Sequence, residues 1–120
     1  MKMGWVTIQV NDMEESIKFY TETLALKINS RFNTDHGEIT FLDAGNTEVE
    51  LMYNPREEKI NINKDISIGL EIDDIDKWLE RLESHGHVVD RKRIVELPTV
   101  TFFFIKDPNG LNVQLYKLKA

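Results

Sequence analysis

The chain has 120 residues, 15 Lys and Arg against 21 Asp and Glu, a net charge of −6 and no cysteine. The negative charge argues against a nucleic-acid partner, because phosphate neutralisation needs a basic face, and the missing cysteine excludes disulfides, thiolate metal sites and cysteine nucleophiles. A chain of this length can bury a core without covalent staples, and no apolar run approaches the roughly 20 residues a membrane span needs.

Residues 3–10 alternate, with Val6, Ile8 and Val10 on one side and Trp5, Thr7 and Gln9 on the other, which is a period-2 strand. Asp12 fits a helix N-cap and Glu15 completes an Asp-x-x-Glu capping box. Met13, Ile17, Tyr20 and Leu24 follow at helical spacing, and the helix should fade by Ala25 or Leu26. Residues 27–34 and 38–43 read as a hairpin around Asp35-His36-Gly37. Gly45-Asn46 turns into a strand over 47–53, where Val49 and Leu51 oppose Glu48, Glu50 and Met52. The polar stretch over 55–64, with the only mid-chain proline, reads as a linker.

The pattern then starts again. Residues 66–72 form a strand, Asp74 caps a helix carrying Ile75, Trp78, Leu79 and Leu82 on one stripe, and Gly86 is placed to end it. Strands are expected over 87–95, 99–106 and 111–118, the last two joined by the turn Asp107-Pro108-Asn109-Gly110. Arg91-Lys92-Arg93, the one basic cluster, reads as a solvated strand or edge. The second half repeats the first. Val6, Ile8 and Val10 fall on Ile68, Leu70 and Ile72, Asp12 on Asp74, and Val49 and Leu51 on Val113 and Leu115. The expected architecture is α+β: two tandem βαβββ modules, 1–54 and 65–120, in a single domain. Their curved mixed sheets should enclose a cleft, with the helices on the outer face.

By parity and internal symmetry, Trp5, Thr7, Gln9, Glu48, Glu50 and Met52 of the first module should line that cleft. Ser67, Glu71, Gln114 and Tyr116 of the second module should join them. Phe102, Phe103 and Phe104 are consecutive, so at least one faces away from the helix side, and Phe102 is assigned to the cleft. Aromatic walls with a few polar groups are what small-molecule sites usually offer. Glu50, expected beside Trp5, is the candidate catalytic residue, as a general base or as counter-ion to a cationic ligand; equally, it is a structural carboxylate hydrogen-bonded to Thr7, Gln9 or Gln114 with no chemistry of its own. Trp5 is either a stacking wall or a plug. His36, His85 and His87 sit at predicted turns and read as surface residues.

The segments VNDMEESIKFYTETLAL (10–26), VELMYN (49–54) and FIKDPNGLNVQLY (104–116) resemble the vicinal oxygen chelate superfamily. That superfamily holds glyoxalase I, bleomycin-resistance proteins and extradiol dioxygenases, and the segments look most like bacterial glyoxalase I. The resemblance implies a divalent-metal site at Trp5, Glu50, Ser67 and Gln114, and a homodimer. Only Glu50 is a typical ligand there. Gln114 offers a weak carbonyl, Ser67 a poor hydroxyl, and the Trp5 indole N–H donates and cannot ligate. The resemblance therefore points first to a cytoplasmic, metal-free protein binding a small organic molecule, cationic or aromatic. Alternatives are a lyase or isomerase of the lactoylglutathione lyase type, holding nickel or zinc through an unusual set with Glu50, and a structural or regulatory domain.

Overall fold

The computed structural model describes residues 1–56 and 58–120. In chain order the elements are β1 (Trp5–Gln9), α1 (Met13–Lys18), β2 (Lys27–Thr34), β3 (Gly37–Asp43) and β4 (Glu48–Tyr53). These are followed by β5 (Ser67–Glu71), α2 (Ile75–Ser84), β6 (Val95–Glu96), β7 (Val100–Lys106) and β8 (Asn112–Leu118). The fold is α+β with two mixed four-stranded sheets, ordered β1-β4-β3-β2 and β5-β8-β7-β6. The chain divides into two compact units, Met1–Ile62 and Asn63–Ala120, each built on one of these sheets.

In the first unit β1 and β4 pair in parallel, and β3 and β2 add antiparallel strands. A parallel pair needs a crossover rather than a tight turn, and α1 is part of it. Asp12 caps α1 as expected, its carboxylate accepting from the Glu15 N–H at 3.0 Å. The sheet's apolar side is sealed by Ile8, Leu42, Val49 and Leu51 together with Met13 and Ile17 of α1, all buried. Met13 Sδ lies 3.5 Å from the hydroxyl of fully buried Thr40, which fixes the helix on that side.

α1 does not simply fade. It widens into a π-helical turn over Phe19–Thr23, closed by the Leu24 N–H donating to the Phe19 carbonyl at 3.0 Å. A π turn holds an extra residue, so Phe19 and Tyr20 are both buried, in edge contact at 5.0 Å between ring centres. The Leu26 N–H then reaches back to the Tyr20 carbonyl, leaving exposed Ala25 at φ 62°. The hairpin turn is tighter than expected, because β3 begins at Gly37 itself. A Cβ there would lie 2.0 Å from the Tyr53 carbonyl oxygen, at φ 135°.

The second unit repeats the plan with a more regular helix end. Asp74 caps α2 by accepting from the Lys77 N–H at 3.1 Å. Gly86, at φ 87°, ends it in a Schellman motif, with the His87 N–H on the Leu82 carbonyl and the Gly86 N–H on that of Glu83. The turn at 107–110 is held by the buried Asp107 carboxylate, which accepts from the N–H groups of Asn109 and Leu111 at 2.8 and 2.9 Å.

The strand expected over 87–95 is corrected. Arg91–Arg93 form a 3-10 turn and only Val95–Glu96 pair with β7. The reason is local: the Asp90 side chain accepts from the Lys92 N–H at 2.9 Å, a cap that rewards a turn over an extended edge. The basic triplet is thus an exposed turn.

Two substitutions read these backbone features in denaturant titrations. Ala25→Gly removes the left-handed penalty of a non-glycine residue and should raise stability by about 0.5–1 kcal/mol. Gly37→Ala meets backbone rather than a yielding side chain and should cost about 2–4 kcal/mol.

Candidate functional site

Each sheet has one side sealed with its helix's apolar residues and an opposite side of mixed chemistry. In the first unit the parallel register sets Trp5 beside Glu48, Thr7 beside Glu50, and Gln9 beside Met52. The antiparallel neighbour β3 then adds Phe41 next to Glu50 and Ile39 next to Met52. The six residues that parity assigns in this unit therefore share a face. Thr7 is the residue directly opposite Glu50, and Trp5 stands one step further along the same face.

That step decides what the carboxylate does. Glu50 is 7% exposed and accepts the Thr7 hydroxyl at 2.5 Å. A buried carboxylate needs such a donor, since leaving it unsatisfied would cost several times what the bond itself contributes. Glu48, nearer the rim, accepts from the Asn29 amide at 3.0 Å, and the Gln9 amide lies 3.4 Å from Met52 Sδ. Arg31 of β2 is engaged elsewhere. It hydrogen-bonds and ion-pairs with Glu14 of α1, which raises its guanidinium above its ordinary value.

Phe41 organises the aromatic part. Trp5 meets it edge-on at 5.4 Å and Phe32 stacks on it at 6.3 Å, so three rings run across the sheet past Glu50. Trp5 is 54% exposed and Phe32 45%, so large ring surfaces remain uncovered. Sequence reasoning misses Phe41, Phe32 and Asn29. Parity along β3, with Thr40 and Leu42 fully buried, is the signal that would have found Phe41.

In the second unit Ser67 pairs with Asn112, Gly69 with Gln114, and Glu71 with Tyr116. Across β7, Phe104 sits next to Gln114 and Phe102 next to Tyr116, while Phe103 is fully buried on the helix side. Phe102 and Phe104 are in edge contact at 5.8 Å. Phe104, a further residue that sequence reasoning misses, thus holds the place that Phe41 holds in the first unit. Gly69 stands where the first unit has Thr7. A Cβ there would lie 3.3 Å from Gln114 Oε1 and 3.5 Å from the Tyr116 ring, so glycine leaves room for both side chains.

Trp5 and Glu50 thus stand on the first unit's open face, Ser67 and Gln114 on the second's. One carboxylate, one amide, one hydroxyl and one indole are not a donor set for nickel or zinc, which want imidazole and carboxylate in number. Among the described residues no three His, Asp or Glu side chains gather closely enough to hold an ion. His36 lies in the β2–β3 turn, and His85 closes α2 with its ring nitrogen 2.8 Å from the Arg81 carbonyl.

Paired strand–helix–three-strand units with an open mixed face define a class, and sequence comparison supplies its name. The profile of the Glyoxalase/Bleomycin resistance protein/Dioxygenase superfamily matches residues 2–115, and the chain belongs to that family. It is 31% identical over 122 residues to a probable chloroplastic lactoylglutathione lyase of Arabidopsis thaliana, covering 95% of this chain but 35% of that protein. A probable lactoylglutathione lyase of Vibrio cholerae is 30% identical, with 93% and 87% of the two chains covered. Among solved structures, TnmS3, an antibiotic binding protein from Streptomyces, superposes with a TM-score of 0.78 at 22% identity, covering 99% of this chain and 97% of that one. No helix among the described residues is long and apolar enough to cross a membrane.

The Thr7–Glu50 bond gives a stability test. Thr7→Val keeps the shape and removes the donor, so it should cost about 1–3 kcal/mol in urea unfolding. Adding Glu50→Leu should restore most of the loss, because the stranded charge goes with its partner.

Proposed function

We propose that this protein binds a small organic molecule, aromatic and cationic, directly on its open sheet faces and without a metal. The observation that carries this reading is Glu50: a carboxylate 7% exposed, held by Thr7, with Phe41 next to it and Trp5 on Phe41. Such a group is oriented before any ligand arrives, so binding need not supply the energy to order it. An ammonium or N–H donor could be paired by Glu50 and by Glu48 while its ring lies on Trp5 or Phe32. The second unit's own open face offers Phe102, Gln114 and Tyr116, with Ser67 and Glu71. TnmS3 supports the reading as a protein of like fold described as antibiotic binding.

A second reading is a lyase of the lactoylglutathione type, favoured by the names of the Arabidopsis and Vibrio relatives. In it Glu50 would serve as base or ligand. The chain's donor set weighs against it, since no imidazole stands at the four positions. We also propose that the protein works in the cytoplasm as a homodimer, and light scattering of the purified chain would check the dimer.

Metal analysis of the purified protein, a titration with nickel and zinc, and thermal unfolding with a panel of aromatic amines separate the readings. The expected result is no stoichiometric metal and a raised Tm with at least one amine. A ligand at a hundred times its Kd adds about 2.7 kcal/mol of stability. Glu50→Gln should abolish that gain while the fold persists. Tight nickel or zinc binding that is lost in Glu50→Ala would replace the binder with the lyase.

A further inference from the structure

The basic triplet of the second unit has a role that its exposure conceals. A 3-10 turn advances about 120° per residue, so three consecutive side chains leave in three directions. Arg91 points to Asp76 of α2, at 3.4 Å. Arg93 instead lines a cavity of about 540 Å³, together with His87, Val88, Asp90, Phe104 and Lys106. Neither Arg93 nor Lys106 has an ion-pair partner among the described residues. The one carboxylate in the lining, Asp90, accepts the Lys92 backbone N–H at 2.9 Å as the cap of the turn. In a chain of net charge −6, two cations are thus gathered at one concave site.

Phe104 gives the cavity its second character. It is 45% exposed, and Val88 in the same lining is 79% exposed, so an apolar wall stands next to the cations. A guanidinium fork matches the oxygens of a carboxylate or phosphate, and an ammonium adds a point charge. A ring carried by the same molecule would cover Phe104.

We propose that this cavity binds an organic oxyanion joined to a planar ring, with Arg93 and Lys106 on the oxyanion and Phe104 against the ring. The site lies within the second unit and does not rest on the ligand proposed for Glu50.

Calorimetric titration of the whole chain with phenyl phosphate, benzoate, inorganic phosphate and benzylamine tests it. Saturable binding of phenyl phosphate or benzoate is expected, the tighter of the two naming the headgroup. Arg93→Gln and Lys106→Gln should each weaken it about tenfold, the scale of one lost charge-assisted hydrogen bond. Arg91→Gln removes the same charge outside the cavity and should leave the affinity within about twofold, since exposed charges at a distance are screened. Phe104→Ala should weaken phenyl phosphate and spare inorganic phosphate. Glu50→Gln should change neither, which keeps this result separate from the amine assay. Both cations are exposed, so circular dichroism and melting should show intact folds. The proposal is overturned if neither aromatic oxyanion saturates, if Arg91→Gln weakens binding as much as Arg93→Gln, or if benzylamine competes for the same site.

Discussion

The parallel pairing of the first and last strands of each unit is the constraint from which the rest follows. Two parallel neighbours cannot be joined by a tight turn, so the intervening chain must cross over and return. Along the way it lays down a helix, whose apolar residues are buried with one side of the sheet, and two strands that extend the sheet. The last strand ends up flanked on both sides, β4 by β1 and β3, β8 by β5 and β7. Its alternate side chains are therefore the most enclosed polar positions available on the open face. Glu50 and Gln114 occupy these positions, and each has a phenylalanine, Phe41 or Phe104, on the adjoining strand.

Placing a carboxylate there is costly unless something satisfies it. In the first unit the satisfaction comes from within, through the Thr7 hydroxyl. A metal would be another way to neutralise the group, but its companions at the family's ligand positions are an indole, a hydroxyl and an amide. The hydroxyl solution fixes the orientation of the group.

Much of this was legible in the sequence because it is local. Asp12 and Asp74 announced their helices through short side chains that cap the next N–H groups, and Gly86 announced a stop through its tolerance of positive φ. The Asp107–Gly110 turn was likewise carried by residue types. The internal repeat gave the order of elements along the chain and, through parity, the open faces, but not the order of strands within each sheet. Parity does not give register, however, and for that reason it left Thr7, Gln9 and Gln114 as equal candidates to hold Glu50 until the pairing set Thr7 opposite it. Parity applied to β3 would have exposed Phe41, but hairpin strands with mixed composition draw less notice than the repeated ones. The failure over 87–95 has another origin. Val88, Val89, Ile94 and Val95 have strand-forming side chains, yet the Asp90 cap and the turn it stabilises outweigh a weak preference at a sheet edge.

Gly69 shows how far the two copies have parted. Where the first half spends a side chain to clamp its central acceptor, the second omits one and lets a neutral amide share the vacated volume with the Tyr116 ring. An amide can turn either its oxygen or its nitrogen toward a guest, whereas a clamped carboxylate can only receive. One half thus carries a fixed acceptor and the other an adaptable amide. A duplicated scaffold divided in this way keeps one central polar group locked while its counterpart is left room to turn.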